Sequence, residues 1–303
     1  MKTGIKFYNT DETFPPLEFA RMVEDHGIES IWLPDHSHVP VASRVVGENK
    51  AAYGDVEDQR TRRFAKSPSP DGLPREYYRN YDQMISIAMM GSVTSTLRLG
   101  TGICLVVQRD PIILAKEIAT IDRLTGGRFL FGVGAGAAWN ARELENHGVN
   151  IKTRTTLMLE RIDAMKQIWG QEQAEYHGTQ VDFGPIFQWP KPTQQPHPPI
   201  LMGGMGAKVL DRTLAHADAW FPGHTDDNFD SLGDRITELR ERAAAMDKHV
   251  EVTLNLGRLD SVERYVELGL DRVVYSLPAM LNDAQTRQIV GDVGRIAQEV
   301  ERA

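Results

Sequence analysis

Short β-forming runs alternate with stretches of helical periodicity from one end of this chain to the other, and such alternation restricts the fold to a parallel sheet wrapped by helices. The β-rich runs are Gly4 to Tyr8, Ser30 to Leu33, Leu97 to Val106, Phe129 to Val133, Ile200 to Met202, Ala219 to Phe221, Val250 to Leu254 and Arg272 to Tyr275. Between them apolar residues recur at three- and four-residue intervals, as in Met158, Ile162, Met165 and Trp169 or Leu232, Ile236, Leu239 and Ala243. That spacing gathers them on one face of a helix. Eight such units predict an α/β fold, a (β/α)8 TIM barrel, with residues 1–303 forming a single domain. Two connections are long, from about Asp35 to Asp82 after the second strand and from Gly134 to Pro199 after the fourth. Both leave the carboxyl ends of strands, the face on which such barrels carry chemistry, so both are expected to border the site.

Charge and composition narrow the partners. The 42 acidic residues exceed the 34 basic ones and leave a net charge of -8, which repels a polyanion and argues against nucleic acid. No apolar run approaches the ~20 residues that span a bilayer, and the amino terminus turns polar at Asn9-Thr10-Asp11-Glu12 before a signal-peptide core forms. A cytoplasmic enzyme acting on a small molecule, without a membrane partner, is the expectation. The single cysteine, Cys104, lies in an apolar strand and reads as an inert core residue.

The segment Leu124-Thr125-Gly126-Gly127-Arg128-Phe129-Leu130-Phe131-Gly132-Val133-Gly134-Ala135-Gly136 carries the most chemistry. Gly126 and Gly127 end a helix, β formers follow, and Gly134 and Gly136 let backbone approach a flat or anionic group at the strand's carboxyl end. A dinucleotide loop would need a third spaced glycine and, about twenty positions on after a second strand, an acidic residue, and these are missing. After the second strand, His36 and His38 stand at i and i+2, half of a hydrolase zinc site. The other strand ends offer no further histidine or bridging acid except His224 beyond the sixth strand, so no metal is expected. Trp139 and Asn140 either line the substrate side of a bound ring or pack the base of the second insertion.

Taken together, several segments resemble the bacterial luciferase-like flavin and deazaflavin oxidoreductases. They are Ile31-Trp32-Leu33-Pro34-Asp35-His36-Ser37-His38-Val39-Pro40, Leu99-Gly100-Thr101-Gly102-Ile103, Asp110-Pro111-Ile112-Ile113-Leu114-Ala115-Lys116, Gly126 to Gly136, and Pro199-Ile200-Leu201-Met202-Gly203-Gly204. The resemblance covers essentially the whole chain and is strongest to actinobacterial enzymes that use coenzyme F420. It implies a barrel with the coenzyme at the carboxyl ends of the strands. It also implies a non-proline cis peptide at Gly102-Ile103 backing the coenzyme ring, and a phosphate site at Gly203, Gly204, Met205 and Gly206, where a helix is expected to begin near Gly206. Free N–H groups at a helix amino terminus suit an anion. Gly134, Ala135, Gly136 and Ala137 complete the coenzyme-binding set, and His36 matches the family's active-site histidine, with Asp35 and His38 expected to support it.

Three departures qualify the resemblance. Ala135 stands where luciferase has an arginine that holds the FMN phosphate, a role alanine cannot fill. Ala137 and Pro40 replace a glutamate and a tryptophan of the family's sugar-phosphate dehydrogenase, so that substrate chemistry does not transfer. The expected function is therefore F420-dependent hydride transfer to or from an unidentified small organic substrate. An FMN-dependent monooxygenase using oxygen and a non-catalytic flavin-binding barrel are the alternatives. The resemblance further implies a homodimer, paired through helices flanking the second and third strands. Arg60, Arg62, Arg63, Lys152 and Arg154 in the insertions would then attract the acidic tail that deazaflavin coenzymes carry.

Overall fold

The computed structural model describes residues 1–40, 75–137, 140–224, 229–278 and 281–302. Strands β1 (Lys2–Lys6), β2 (Ser30–Leu33), β3 (Arg98–Thr101), β4 (Cys104–Leu105), β5 (Phe129–Gly134), β8 (Ile200–Gly203), β9 (Ala219–Phe221), β10 (Glu251–Gly257) and β11 (Arg272–Ser276) form one parallel sheet. It runs β3-β2-β1-β11-β10-β9-β8-β5-β4 and is closed by pairing of β3 with β5. Because β3 and β4 are successive parts of one path, the ring is a closed barrel of eight strands. The helices are α1 (Pro16–Asp25), α2 (Arg75–Tyr78), α3 (Gln83–Ser92), α4 (Pro111–Leu124), α5 (Ala141–Asn146), α6 (Arg154–Gly170), α7 (Val209–His216), α8 (Phe229–Ala244), α9 (Val262–Glu267) and α10 (Asp283–Arg302).

The fold agrees with the sequence pattern, with corrections at particular elements. The run from Leu97 to Val106 is two strands, interrupted at Gly102-Ile103, where the peptide is cis. Gly100 pairs with Leu130 and Cys104 with Val133, so four steps along β3–β4 match three along β5, a bulge of one residue. The helix expected near Gly206 begins at Val209. A β-hairpin not anticipated in the sequence, β6 (Gln173–His177) with β7 (Asp182–Phe187), fills part of the second long connection. In β7 the alternation is broken by exposed residues on both faces, which hides the hairpin from a periodicity reading. Of the first long connection, residues 41–74, with Arg60, Arg62 and Arg63, lie outside the described residues.

Helix starts follow local chemistry. Asp110 caps α4 by accepting hydrogen bonds from the amides of Ile112 (2.9 Å) and Ile113 (3.0 Å), with Pro111 at the first helical position. Asp82 caps α3 through the amide of Ile85 at 2.9 Å. The helices bury their apolar faces against the outside of the barrel, where Leu114, Ile118, Ile162, Met165, Leu232, Leu239 and Val293 belong to one continuous core.

The barrel interior is a second core of Trp32, Leu130, Leu201, Ala219, Phe221 and Val274. Trp32 is fully buried, donates its indole N–H to Ser30 Oγ at 2.9 Å and lies 4.9 Å from the Phe221 ring. So large a side chain requires its neighbours to be small. A Cβ on Gly4 would fall 2.8 Å from Trp32 Nε1, and one on Gly100 would fall 2.3 Å from Trp32 Cε3. Beneath this layer the guanidinium of Arg272, 1% exposed, forms a two-pronged ion pair with Glu29 at 2.7 and 2.8 Å. Burial raises the Glu29 carboxyl, but its bonds to Arg272 outweigh burial and hold it below the usual range.

Overpacking a filled core typically costs about 1–3 kcal/mol. Gly100→Ala is therefore expected to destabilise the protein by about that amount in urea unfolding. Gly291→Ala, in α10 with no atom within 4 Å of the added methyl, is expected to be neutral or to stabilise by up to about 1 kcal/mol. Equal midpoints for Gly100→Ala and the parent would contradict this packing.

Candidate active site

The carboxyl ends of the strands surround a cavity of about 740 Å³. Its lining divides by chemistry. Gly102, Ile103, Gly134, Ala135, Gly136, Ala137, Gly203, Gly204, Met205 and Gly206, all ten residues expected to bind a coenzyme, form one part of the wall. Lys6, Tyr8, His36, Tyr77 and Asn255 bring polar groups to the rest.

The glycine-rich part is shaped by the bulge. Ile103 turns its side chain between two strand ends, and a Cβ on Gly134 would come within 2.0 Å of Ile103 Cδ1. A Cβ on Gly203 would meet Val133 O at 2.9 Å and Ile103 Cγ2 at 3.1 Å. The bulge is held from behind. Leu33 O accepts from the amide of Gly102 at 2.7 Å and from Gln83 Nε2 at 2.7 Å, and the same Gln83 nitrogen also reaches Ile103 O at 3.3 Å.

Past β8, the carbonyls of the next turn are engaged while its amides are not. Trp220 Nε1 donates to Gly204 O at 2.9 Å, and Arg235 donates to Met205 O and Gly206 O at 2.8 and 3.1 Å. The N–H groups of Gly204, Met205 and Gly206 make no hydrogen bond among the described residues. Gly204 has φ +116°, a conformation that L side chains rarely adopt. A flat, mostly apolar wall beside a turn of unengaged amides fits a flavin-type coenzyme with a phosphate on its side chain, one of the arrangements that bind anions without a dedicated cation. Arg154, one of the basic residues expected near the mouth, donates to Gly136 O at 3.2 Å and Ile151 O at 2.5 Å.

In the polar part, the roles expected around His36 are redistributed. Asp35 does not hold it. Its carboxylate, 3% exposed, accepts from the amide of Leu105 at 2.9 Å and from Arg109 at 3.0 Å, tying the end of β2 to β4. His38 does not line the cavity; it contacts Ser37 Oγ at 2.9 Å and Asn146 Nδ2 at 2.7 Å, beside His147. The partner of His36 Nδ1 is Glu143 Oε2, at 3.2 Å, with the two side chains 7% and 2% exposed. Tyr77 lies 4.6 Å from the imidazole ring and receives a hydrogen bond from the Tyr8 hydroxyl at 3.2 Å.

Sequence reasoning missed Glu143, Tyr77, Lys6, Tyr8 and Asn255. Lys6 had an available signal: it ends the first strand two residues after Gly4, and side chains two apart share a face. His224, considered for a metal, contacts the Tyr265 hydroxyl at 2.7 Å, and no three metal-ligating side chains gather among the described residues. Cys104 is fully buried, and burial pushes its thiol up, which fits an inert core residue. Asn140 is buried and lines the cavity; Trp139 lies outside the described residues. No described helix is long and apolar enough to cross a membrane.

Comparison with known proteins adds relatives to this geometry. The profile of the family described as luciferase-like monooxygenase matches residues 15–258. An uncharacterized protein of Mycobacterium tuberculosis is 35% identical over 280 residues, covering 92% of each chain. An FMNH(2)-dependent dimethylsulfone monooxygenase of Pseudomonas putida is 31% identical over 149 residues, 48% of this chain and 40% of that protein. Among solved structures, the coenzyme F420 dependent tetrahydromethanopterin reductase of Methanopyrus kandleri superposes with a TM-score of 0.69 at 16% identity, covering 99% of both chains.

Proposed function

Since the chain belongs to the luciferase-like monooxygenase family, we propose that it is an F420-dependent oxidoreductase acting on a small organic substrate. The observation that carries this reading is the wall formed by Gly102, Ile103, the 134–137 turn and the 203–206 turn, with Ala135 where a luciferase-type site needs a phosphate-binding arginine. The solved reductase that shares this fold and uses F420 supports it. The relative that uses FMNH2 keeps the FMN-dependent monooxygenase as the second reading.

A bound deazaflavin supplies a hydride donor or acceptor at the ring carbon that replaces flavin N5. The protein's share is binding, orientation and proton handling. Ile103 would back the ring of the bound coenzyme, and the Gly204, Met205 and Gly206 amides would receive its phosphate. His36, which also lines the cavity, would exchange a proton with the substrate, a task suited to an imidazole. The reading includes a homodimer formed through α3 and α4, where Ile85, Met89 and Ile113 are 68%, 49% and 59% exposed; sedimentation velocity distinguishes it from a monomer.

Two outcomes test the proposal. Fluorescence titration is expected to give tighter binding of F420 than of FMN, and submicromolar FMN binding without saturation by F420 would reverse the coenzyme assignment. His36→Ala is expected to keep its affinity for F420 while losing about 10²- to 10⁴-fold in turnover, the range for a positioned acid or base. Turnover is followed as oxidation of reduced F420 with a quinone, an enone and a ketone as probe acceptors. If His36 only braces its loop, coenzyme affinity and melting temperature fall together instead.

A further inference from the structure

We propose that Glu143 is the positioning residue of His36, fixing the imidazole as its Nδ1–H tautomer so that Nε2 is the nitrogen turned to proton exchange. This rests on the role given to His36 above but is carried by a separate set of contacts. Three nitrogens converge on the one carboxylate: His36 Nδ1 at 3.2 Å and Asn140 Nδ2 at 2.9 Å on Oε2, and the amide of Ser37 at 3.1 Å on Oε1. The direction of two of these bonds is fixed. The Ser37 amide can only donate. Asn140 Oδ1 accepts from the amide of Ala137 at 3.0 Å, so its other atom facing Glu143 is the amide nitrogen, also a donor. An ionised carboxylate meets these contacts as an acceptor only, which a carboxamide cannot do. Burial raises the Glu143 carboxyl, but its bonds with His36 and Asn140 more than offset that and hold it below the usual range. An ionised acceptor at Nδ1 places the imidazole proton there and leaves Nε2 as the basic nitrogen of the neutral ring.

The same contacts join two parts of the wall. Ala137 closes the turn expected to touch the coenzyme, Asn140 takes its amide, Glu143 takes Asn140 and His36. A residue of α5, after the fourth barrel strand, thus orients a side chain that follows the second, 107 positions earlier.

The test reads the tautomer directly and does not depend on turnover. Protein labelled with ¹⁵N-histidine is examined by two-bond ¹H–¹⁵N correlation at about pH 8.5, above the ordinary imidazole range, with His36→Ala identifying the resonance. The wild type is expected to show Nδ1–H at His36. Glu143→Asp, still acceptor-only, is expected to retain it, whereas Glu143→Gln, facing three donors with one oxygen, is expected to lose it for mixed or Nε2–H signals. In turnover, Glu143→Gln is expected to lower kcat at least tenfold, and His36→Ala with Glu143→Gln is expected to lose no more than His36→Ala alone. An Nε2–H tautomer in the wild type, or an unchanged Nδ1–H tautomer in Glu143→Gln, overturns the assignment. If Glu143→Gln does not fold, the wild type and Glu143→Asp decide it. Were His36→Ala fully active, the proposed function of His36 would fail while the tautomer result still judged Glu143.

Discussion

The bulge in β3–β4 is the constraint on which the site depends. Strand β5 runs one residue shorter than its neighbour between the Gly100–Leu130 and Cys104–Val133 pairs. The surplus is taken up at Gly102-Ile103, where backbone is pushed into the barrel mouth and Ile103 enters the gap between the ends of β5 and β8. Glycines follow as a steric consequence: Gly132 passes so near β3 that a Cβ would fall 2.1 Å from Thr101 O, and Gly134 and Gly203 yield to Ile103. The glycine-rich signature is therefore a record of how closely this backbone is packed as well as of what it binds.

The interior beneath explains why the bulge can be supported. Trp32 fills the barrel between Gly4 and Gly100, and Phe221 lies against it. With the interior solid, the cavity is confined to the carboxyl face, and the loops leaving β2, β5 and β8 meet around it. Leu33, next to that tryptophan, supplies the carbonyl that both Gly102 and Gln83 use. Core packing and site geometry share the same few residues.

Periodicity made the barrel legible, and the glycine runs made the glycine-rich wall of the cavity legible, because both are local properties of a chain. The arrangement around His36 was not. Asp35 is adjacent in sequence, yet the chain rising from β2 sends its carboxylate down to Leu105 and Arg109, and the residue that meets the imidazole comes from a short helix in a distant insertion. Glu143 carries no motif of its own; only the fold brings it to His36. The hairpin β6–β7 was hidden for a related reason, since β7 is exposed on both faces and the two-residue alternation that marks a half-buried strand is lost there.

The central claim is that one coenzyme is held between the bulge and the two glycine-rich turns. Hydrogen–deuterium exchange of the protein with and without saturating F420 tests it most directly, because amide protection reports on backbone that a ligand covers or orders. The account predicts added protection concentrated at residues 102–106, 134–137 and 203–206, with the strongest change at the unengaged amides of Gly204, Met205 and Gly206. Protection confined to the outer helices, or none at these three segments under saturating coenzyme, would contradict it.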